Sequence, residues 1–558
     1  INVAIPVETT PSTGGVTKLG AGTWVLNAAN TYLGATTIQA GTLKLRATAG
    51  ASDVIKGGAV VFSADTVTQT AGGTLEFKGF LSTATTETLG ALTPTTGMGN
   101  VSVVSNGALT TLTFASMGTR VAGTGLNFTN PTSGSIVFTA AVTGTPNGIV
   151  GGFATVGGVN FVTTIGAGGA VAAPTYTAGG PTFDSTIPGT VGSATKNYFS
   201  NGSAATTGPF AANSLKLTNN GSGGAFTGTG LLTITAASAT SLGGILFDNS
   251  GGAGSISGYT GITLSTPATE YIFTVGGSTP ANEFTVSSPL AAGGATFTKN
   301  GPGILVLSGT SVFTGDARIN EGTVKLSGVT VTFGTNSTVA NITTLRQGAT
   351  LDINAAGASQ TIGVGALQGA GTVTNSGGGT STAGTISLGR STSTGAGVFS
   401  GILQDGAGIL NVTFDGAART QSLLGLSTYT GVTTIATSAA VTVNTLAAGG
   451  SASGIGASTN AAANLVFNGT APTLVYQGNN RVGSLNLGSN SATTDRLFTI
   501  SGAGAVLSST ASNNNAIVWS SAGAIVHGTV AARTLTLTGT STGDNTFNPQ
   551  LTDSGTGV

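Results

Sequence analysis

The feature that most constrains this chain is a period-two alternation of apolar and small polar residues, repeated in short runs from end to end. Residues 43–45, 101–103 and 232–234 are examples, and the runs end near Gly, Asn or Ser, which permit turns with positive φ. We find no stretch with helical apolar spacing sustained over three turns. The alternation predicts an all-β chain, and its strands recur too often for one compact sandwich.

Composition narrows the functional classes. Only 6% of the 558 residues are charged and the net charge is zero, so the chain lacks the basic surface that nucleic acid or anionic lipid requires. Because 39% of the residues are apolar, the composition is not that of a disordered chain. Cysteine is absent, there is one histidine, and no apolar run reaches the ~18 residues of a membrane helix.

An internal repeat indicates the architecture. Residues 16–45 align without gaps on residues 297–326, and residues 428–435 form a weaker third copy of residues 31–38. Similar strands follow each copy, at residues 74–77, 350–353 and 473–476. Twelve residues recur between the first two copies: Thr17, Lys18, Gly20, Gly22, Val25, Leu26, Gly34, Ile38, Gly41, Thr42, Lys44 and Leu45.

Three diverged modules of this kind predict a β-solenoid similar to a parallel β-helix, because such a module buries its apolar face only by stacking on a neighbour. Glycine at the corners and ladders of Thr and Asn fit this architecture. The expected divisions are an N-terminal strand, three modules, and a β-rich insertion in the first module that covers the proline-broken, charge-free stretch. Their bounds are residues 1–10, 11–290 with the insertion near 121–230, 291–397, and 398–558, the last ending in a half-repeat.

Residues 20–26, 30–38 and 40–43 together resemble the autotransporter-associated β-strand repeat, in which three elements follow in order at fixed spacing. The second copy departs from the motif, with Leu305 in place of Trp24 and 317–318 (Ala-Arg) in place of 36–37 (Thr-Thr). The resemblance implies a secreted β-helical surface protein of the passenger type, often an adhesin. It also implies an extracellular or cell-surface location.

The two ends of the chain suggest assembly. Residues 276–284 resemble residues 539–547, but only the first of these segments leads into a repeat, so the chain looks cut within a repeat unit. The chain starts at Ile1 rather than Met, which indicates processing and removal of an export signal. A terminal strand with alternating β-branched residues is suited to pair with an open edge of another copy. The predicted subunit interface consists of Ile1, Val3, Ile5, Val7, Leu535, Leu537, Phe547, Leu551 and Val558.

The main hypothesis is therefore a structural subunit of an extracellular filament, joined head to tail by β-strand complementation into a homopolymer. The alternative is a monomeric rod that acts as an adhesin or passenger, with surface glycans or other cells as partners. A polysaccharide-active β-helix enzyme is the third possibility, but it needs clustered carboxylates. The acids are scattered, and the densest charged group is Asp316, Arg318, Glu321 and Lys325.

The sequence thus predicts no enzyme activity, no catalytic or metal site, no cofactor, no nucleic-acid binding and no membrane insertion. His527 has no acidic residue nearby in sequence and is interpreted as a structural or surface residue. Trp24, Tyr32, Tyr429 and Trp519 are candidates for a carbohydrate-stacking platform, but aromatic residues spaced along a repeat favour core packing.

Overall fold

A computed structural model of the chain describes residues 14–553 with short gaps. The gaps are residues 50–52, 65–71, 143–146, 222, 236–241, 266–268, 280, 291–293, 328–330, 334–340, 356–359, 379–382, 390–396, 417–419, 483–484, 513 and 529–531. Within this part of the chain there are 55 strands, two 3-10 turns (Asn249–Gly251 and Ala462–Asn464) and no α-helix. Together with the parallel pairing described below, this confirms the predicted all-β solenoid.

The strands up to the second repeat copy are β1 (Val16–Lys18), β2 (Thr23–Leu26), β3 (Thr36–Ile38), β4 (Thr42–Arg46), β5 (Val60–Phe62), β6 (Gly73–Lys78), β7 (Thr85–Leu89), β8 (Leu92–Pro94), β9 (Met98–Val104), β10 (Thr110–Phe114), β11 (Gly125–Thr129), β12 (Gly134–Phe138), β13 (Ala154–Val156), β14 (Asn160–Phe161), β15 (Gly169–Ala170), β16 (Phe183–Asp184), β17 (Ser193–Asn201), β18 (Ala204–Ala205), β19 (Phe210–Thr218), β20 (Ala225–Thr227), β21 (Leu231–Ile234), β22 (Ile245–Asp248), β23 (Gly254–Ser257), β24 (Gly261–Leu264), β25 (Glu270–Gly276), β26 (Phe284–Val286), β27 (Thr296–Asn300) and β28 (Ile304–Leu307).

The remaining strands are β29 (Ser311–Phe313), β30 (Ala317–Ile319), β31 (Thr323–Leu326), β32 (Val331–Phe333), β33 (Ile342–Leu345), β34 (Thr350–Asp352), β35 (Thr361–Gly363), β36 (Ala366–Gly369), β37 (Thr372–Thr374), β38 (Ala383–Leu388), β39 (Gly397–Phe399), β40 (Ile402–Leu403), β41 (Ile409–Phe414), β42 (Thr420–Leu423), β43 (Thr433–Thr437), β44 (Ala440–Val443), β45 (Leu465–Gly469), β46 (Thr473–Tyr476), β47 (Asn479–Val482), β48 (Leu485–Ser489), β49 (Ala492–Thr494), β50 (Thr499–Ile500), β51 (Gly504–Ser509), β52 (Ile517–Trp519), β53 (Val526–His527), β54 (Thr534–Gly539) and β55 (Thr546–Phe547).

The chain forms two compact units. The first contains residues 1–65, 70–309 and 318–323, and the second contains residues 66–69, 310–317 and 324–558.

In the first unit, residues 14–170 form a stack of strands that we call the first arm. Its sheets have the spatial orders β14-β13-β11-β9-β6-β4-β2, β1-β3-β5-β8 and β15-β12-β10-β7. The pairing is parallel except at the end of the arm, where β14 and β15 run antiparallel to β13 and β12. Leu43, Leu75, Val101 and Phe128 lie in register on successive rungs and are fully buried, so each rung covers the next.

The second arm of this unit comprises residues 183–309 and 318–323. Two parallel sheets form it, one containing β16, β17, β19, β21, β22, β24, β25 and β27 and the other β18-β20-β23-β26-β28. An aromatic ladder runs through its core. Ring centroids lie 5.2 Å apart between Tyr198 and Phe210, 5.5 Å between Phe210 and Phe226, and 5.8 Å between Phe226 and Tyr259.

The two arms pack side by side and run in opposite directions. Contacts between them pair successively earlier residues of the first arm with successively later residues of the second. The contacts are Asn160 with Lys216, Arg120 with Glu270, and Asn100 with Glu321. The predicted insertion near residues 121–230 therefore contains regular rungs of both arms as well as the connection between them. The module boundaries themselves remain a prediction.

A buried ion pair joins the arms. The Arg120 guanidinium donates to both carboxylate oxygens of Glu270, at 2.7 and 2.8 Å, and Glu270 is 1% exposed. The same carboxylate accepts hydrogen bonds from the Gly123 N–H and the Thr298 hydroxyl. The Arg120 guanidinium also donates to the Thr124 carbonyl oxygen and lies 4.5 Å over the ring of Phe153, so both charges have partners, as a buried pair requires.

The second unit has the same construction. Its longer sheets are β33-β36-β39-β42-β44-β46-β51-β54 and β35-β38-β41-β43-β45-β50-β53, with the smaller sets β31-β34-β37-β40, β49-β52-β55 and β29-β32 and one antiparallel hairpin, β47-β48. A second aromatic ladder joins Phe467, Phe498, Trp519 and Phe547, with centroids 5.3, 5.7 and 6.4 Å apart in that order.

One acidic side chain is enclosed in the first arm. Glu87, on β7, is fully buried, and its carboxyl oxygens accept hydrogen bonds from the N–H groups of Val54 (2.6 Å) and Ile55 (2.9 Å). Burial raises the pKa of Glu87 to about 8, although these two hydrogen bonds act to lower it. The folded chain therefore holds a proton on Glu87 at neutral pH, whereas an unfolded chain does not.

Glu87→Gln is expected to remove a pH dependence of stability. Between pH ~4.5 and ~8 the native carboxyl binds a proton that the unfolded one releases, so the wild-type free energy of unfolding falls as pH rises, by at most roughly 1.4 kcal/mol per pH unit. Glutamine is neutral throughout and keeps an acceptor oxygen. Urea unfolding at pH 5 and pH 7.5, both within this pH range, measures the pH dependence of the free energy of unfolding. Glu76→Gln, at a partly exposed ion pair with Lys44, should retain the wild-type slope, and an unchanged slope in E87Q would contradict the assignment.

Candidate functional site

A buried lysine closes the first corner of each of the two full repeat copies. Lys18 Nζ donates to the carbonyl oxygens of Leu19 (2.7 Å), Gly20 (2.5 Å) and Ala40 (3.0 Å). The first two carbonyls belong to the corner itself, and the third lies 22 positions later, at the corner of the next rung. The ammonium group therefore ties two successive rungs together.

The second copy repeats this arrangement. Lys299 Nζ donates to the carbonyl oxygens of Asn300 (3.0 Å), Gly301 (2.6 Å) and Glu321 (3.1 Å), at the same sequence distances. All three N–H groups of the ammonium are thus used. Burial lowers the pKa of Lys299 to about 7, with the Glu321 carboxylate acting in the opposite direction.

Glycine is required where these corners meet. Gly41 and Gly322 occupy the same repeat position, with φ of +68° and +65°. A Cβ at Gly41 would lie 2.4 Å from the Gly22 carbonyl oxygen, and one at Gly322 would lie 2.4 Å from that of Gly303. Only glycine combines this φ with such a close approach of two backbones.

A hydroxyl pair marks the first and third copies. Tyr32 and Thr36 share a hydrogen bond of 2.7 Å between their hydroxyl oxygens, and Tyr429 and Thr433 share one of the same length. Both tyrosines are buried, at 5% and 0% exposure. A buried phenol needs a partner, which the threonine supplies.

The second copy replaces both members of the pair. Phe313 stands where Tyr32 stands in the first copy, and Ala317 stands in place of Thr36. Phe313 is fully buried and stacks on Phe333, with ring centroids 5.2 Å apart. The paired change from Tyr and Thr to Phe and Ala removes both hydroxyls at once and leaves no buried polar group. Sequence reasoning missed this pairing, although the gapless alignment of the copies carries the signal.

The predicted interface residues divide into two groups. Ile1, Val3, Ile5, Val7 and Val558 lie outside the described residues. Of the others, Leu537 and Leu551 are exposed (57% and 64%), while Leu535 and Phe547 are half-buried. The structure brings Leu537 and Phe547 together beside a cavity of about 110 Å³ in the second unit, whose lining also includes Tyr476, Leu507 and Trp519. Among the described strands, β54, which carries Leu535 and Leu537, stands last in its sheet and pairs with β51.

Three of the four aromatic residues considered for a carbohydrate platform belong to the core. Tyr32, Tyr429 and Trp519 are at most 5% exposed, in agreement with the favoured interpretation, and only Trp24 is exposed, at 56%. They therefore present no shared aromatic surface.

An uncharged, hydroxyl-bearing surface lies on the outside of the sheet β7-β10-β12. Thr86, Thr111 and Ser135 lie side by side in register on these strands, and Thr88 and Thr113 form a second row two residues further along. Thr86 and Thr88 are exposed, and the other three are half-buried. Ser135 Oγ donates to Thr111 Oγ1 over 3.4 Å. We call these five residues the hydroxyl face.

The described charged residues include no cluster of potential metal ligands. In the part of the chain that the structure describes, no three His, Asp or Glu side chains come close enough to hold a metal ion. Within the predicted charged group, Asp316 accepts a hydrogen bond from the Ile342 N–H, and half-buried Glu321 accepts one from Asn100. His527 Nε2 lies 2.8 Å from the Thr552 carbonyl oxygen, consistent with a structural role. No described helix is long and apolar enough to span a membrane.

Comparison with known proteins identifies the repeats. Residues 16–45 and 297–326 match the passenger-associated-transport-repeat model, which confirms the resemblance to the passenger-type β-helix family and places its two full copies at the aligned positions. These are the segments that contain Lys18 and Lys299. The chain is a β-solenoid that carries passenger-associated transport repeats.

One relative matches along nearly the whole chain. It is the adhesin BmaC autotransporter of Brucella suis biovar 1 (strain 1330), 31% identical over 607 aligned positions. The match covers 99% of this chain, and the chain spans 16% of the length of that relative. No solved structure matches the chain.

A double-mutant cycle tests whether the tyrosine and threonine hydroxyls stabilise the fold by pairing with each other. Phe313→Tyr alone places a phenol oxygen beside Ala317 without an acceptor, and we expect it to cost roughly 1–3 kcal/mol of unfolding free energy. Adding Ala317→Thr should recover much of that loss, because it recreates the bond seen between Tyr32 and Thr36. Urea unfolding of both single variants and the double variant measures the coupling, and strictly additive effects would contradict the pairing.

Proposed function

We propose that this chain is part of a secreted, surface-displayed passenger that acts as a non-enzymatic adhesin. The observation that carries the proposal is the 31% identity with the Brucella adhesin along 99% of the chain. The two passenger-associated transport repeats support it. Because the chain spans 16% of that relative, the adhesive role and the extracellular location are both part of the proposal.

The surface chemistry indicates what such an adhesin would contact. With 6% charged residues and no net charge, the chain has little electrostatic attraction to offer a partner. Its outward rows instead carry hydroxyl groups at the regular spacing of neighbouring strands, about 4.8 Å. Polyhydroxylated partners such as cell-surface glycans suit this surface, because they exchange hydrogen bonds without needing opposite charge. Adhesion of this kind should depend weakly on salt.

Bead adhesion tests the proposal. Fluorescent beads coated with the purified chain are expected to bind cultured epithelial cells several-fold more than beads coated with albumin, and binding should persist at high salt. Thr111→Lys places a long charged side chain in the centre of the hydroxyl face and should reduce binding strongly if that face makes the contact. Binding no greater than that of albumin would overturn the adhesin proposal.

A matched variant controls for the added charge. Thr434 is also a half-buried outward threonine at the centre of a row, between Thr413 and Val466, but it lies in the second unit. Thr434→Lys should leave bead adhesion near the wild-type level. Equal losses of bead adhesion in T111K and T434K would contradict a role for the hydroxyl face. The adhesin proposal would then depend only on whether wild-type beads bind more than albumin-coated beads.

One observation favours a second candidate, the filament subunit. Edge strand β54 presents exposed Leu537 next to the cavity lined by Phe547 and Trp519, and such an edge accepts an added strand. In this hypothesis the added strand is residues 1–7 of another copy. Negative-stain electron microscopy of the purified chain separates the candidates: continuous filaments support polymerisation, and separate particles at high concentration contradict it.

A further inference from the structure

A small cluster of oxygen atoms lies at a turn of the second arm. The 3-10 turn Asn249–Gly251 directly follows β22, and Asp248 caps it by accepting a hydrogen bond from the Ser250 N–H over 3.0 Å. On the neighbouring strand, Gly276 pairs with Asp248, so Gly277 lies next to this turn. The cluster lies apart from the hydroxyl face, and Asn249 Nδ2 lies next to Gly303 of the second repeat corner.

Three side-chain oxygens point toward the same place beside Gly277. A Cβ at Gly277 would lie 2.5 Å from Asn249 Oδ1, 2.7 Å from Asp248 Oδ1 and 2.8 Å from Ser250 Oγ. At a φ of +119°, only a glycine, which has no Cβ, fits beside these three oxygens, and we call the place that they surround the cradle. A carboxylate, an amide oxygen and a hydroxyl therefore converge on one small space.

The amide oxygen in this cluster has no partner among the described residues. Asn249 is fully buried, and its Oδ1 accepts no hydrogen bond from them. The amide is held in this orientation by its other end, because Nδ2 donates to the Asn282 carbonyl oxygen, and Asn282 Nδ2 donates back to the Asn249 carbonyl oxygen at 2.8 Å. A buried acceptor beside a carboxylate is costly unless a positive group or donor satisfies it.

No side-chain cation of the described chain fills this role. Lys216 is the basic residue that interacts electrostatically with Asp248, but its Nζ donates to Asn160 Oδ1 and lies 4.8 Å over the ring of Phe199. Asp248 forms none of the ion pairs found within 4.0 Å. The carboxylate is half-buried, so a cation can reach it from solvent.

We propose that Asp248, Asn249 and Ser250 form a binding site for a divalent calcium ion, completed by water. Carboxylate, amide and hydroxyl oxygens are the ligands Ca²⁺ takes, and its flexible coordination tolerates an irregular set, whereas Mg²⁺ demands near-octahedral geometry. Without nitrogen or sulfur ligands the site does not suit zinc. A single carboxylate makes the affinity modest, in the range of about 10⁻⁴–10⁻³ M seen in extracellular modules. The bound ion would tie the turn after β22 to the next rung.

Isothermal titration of the purified full chain with CaCl₂ tests the site. The wild type is expected to bind with a Kd of roughly 0.1–1 mM, and MgCl₂ should bind more weakly. Asp248→Asn keeps the oxygen that caps the turn but removes its charge. Gly277→Ala fills the cradle without changing any charge. Each variant should weaken calcium binding about tenfold or more at this site.

Matched controls separate loss of the site from loss of fold. Gly208 has a similar φ, +105°, but a Cβ there would meet no atom within 4 Å, so Gly208→Ala imposes comparable backbone strain without filling a cradle. Asp544→Asn removes an exposed carboxylate elsewhere. Both controls should bind calcium as the wild type does. Absence of wild-type binding up to ~10 mM CaCl₂, or unchanged binding in D248N and G277A, would overturn the proposal.

Discussion

Each full repeat turns its first corner around a buried lysine, and the stacking of the rungs depends on this contact. A tight corner leaves carbonyl oxygens without the strand partners they would have in a sheet, and burying them unpaired is costly. Lys18 and Lys299 each satisfy three such oxygens, two in their own rung and one in the next. The contact therefore closes a corner and also fixes the position of the rung that stacks on it.

The remainder of the fold follows from stacking under that constraint. Once the corners fix the register, like residues face like residues on successive rungs, which yields the aliphatic and aromatic ladders inside and the rows of threonine outside. The outward rows need no charge to remain solvated, since hydroxyls and amides hydrogen-bond to water. The surface that we propose for adhesion is thus a direct product of the way the core is built.

The sequence was sufficient to predict a parallel β-solenoid, but not how the two arms of the first unit pack together. Alternation and the gapless repeat predicted a parallel solenoid, because Lys18, Gly20 and Gly41 recur in the second copy where the backbone needs them. The opposed packing of the two arms was not predicted, since Arg120 and Glu270 are 150 positions apart and no periodicity links them. The exposure of Trp24 and the burial of Trp519 were likewise not predicted. One is exposed and the other buried because burial depends on which neighbouring elements cover a side chain.

The candidate sites were harder to predict for a similar reason. The exposure of Leu537 on β54 depends on whether another strand covers that edge, which alternation along the chain does not determine. The oxygen cluster at Gly277 joins residues almost 30 positions apart in two successive rungs, and only one of its ligands is acidic, so no short motif marks it.

The most direct test of this account is amide hydrogen exchange of Lys299→Met compared with Lys44→Met. Lys299 is fully buried at a corner, whereas Lys44 occupies another recurring lysine position of the repeat and makes a partly exposed ion pair with Glu76. Protection should fall sharply in K299M over residues 296–307 and 317–326, and remain at the wild-type level in K44M. Unchanged protection of these segments in K299M would show that the lysine corner does not hold the rungs together.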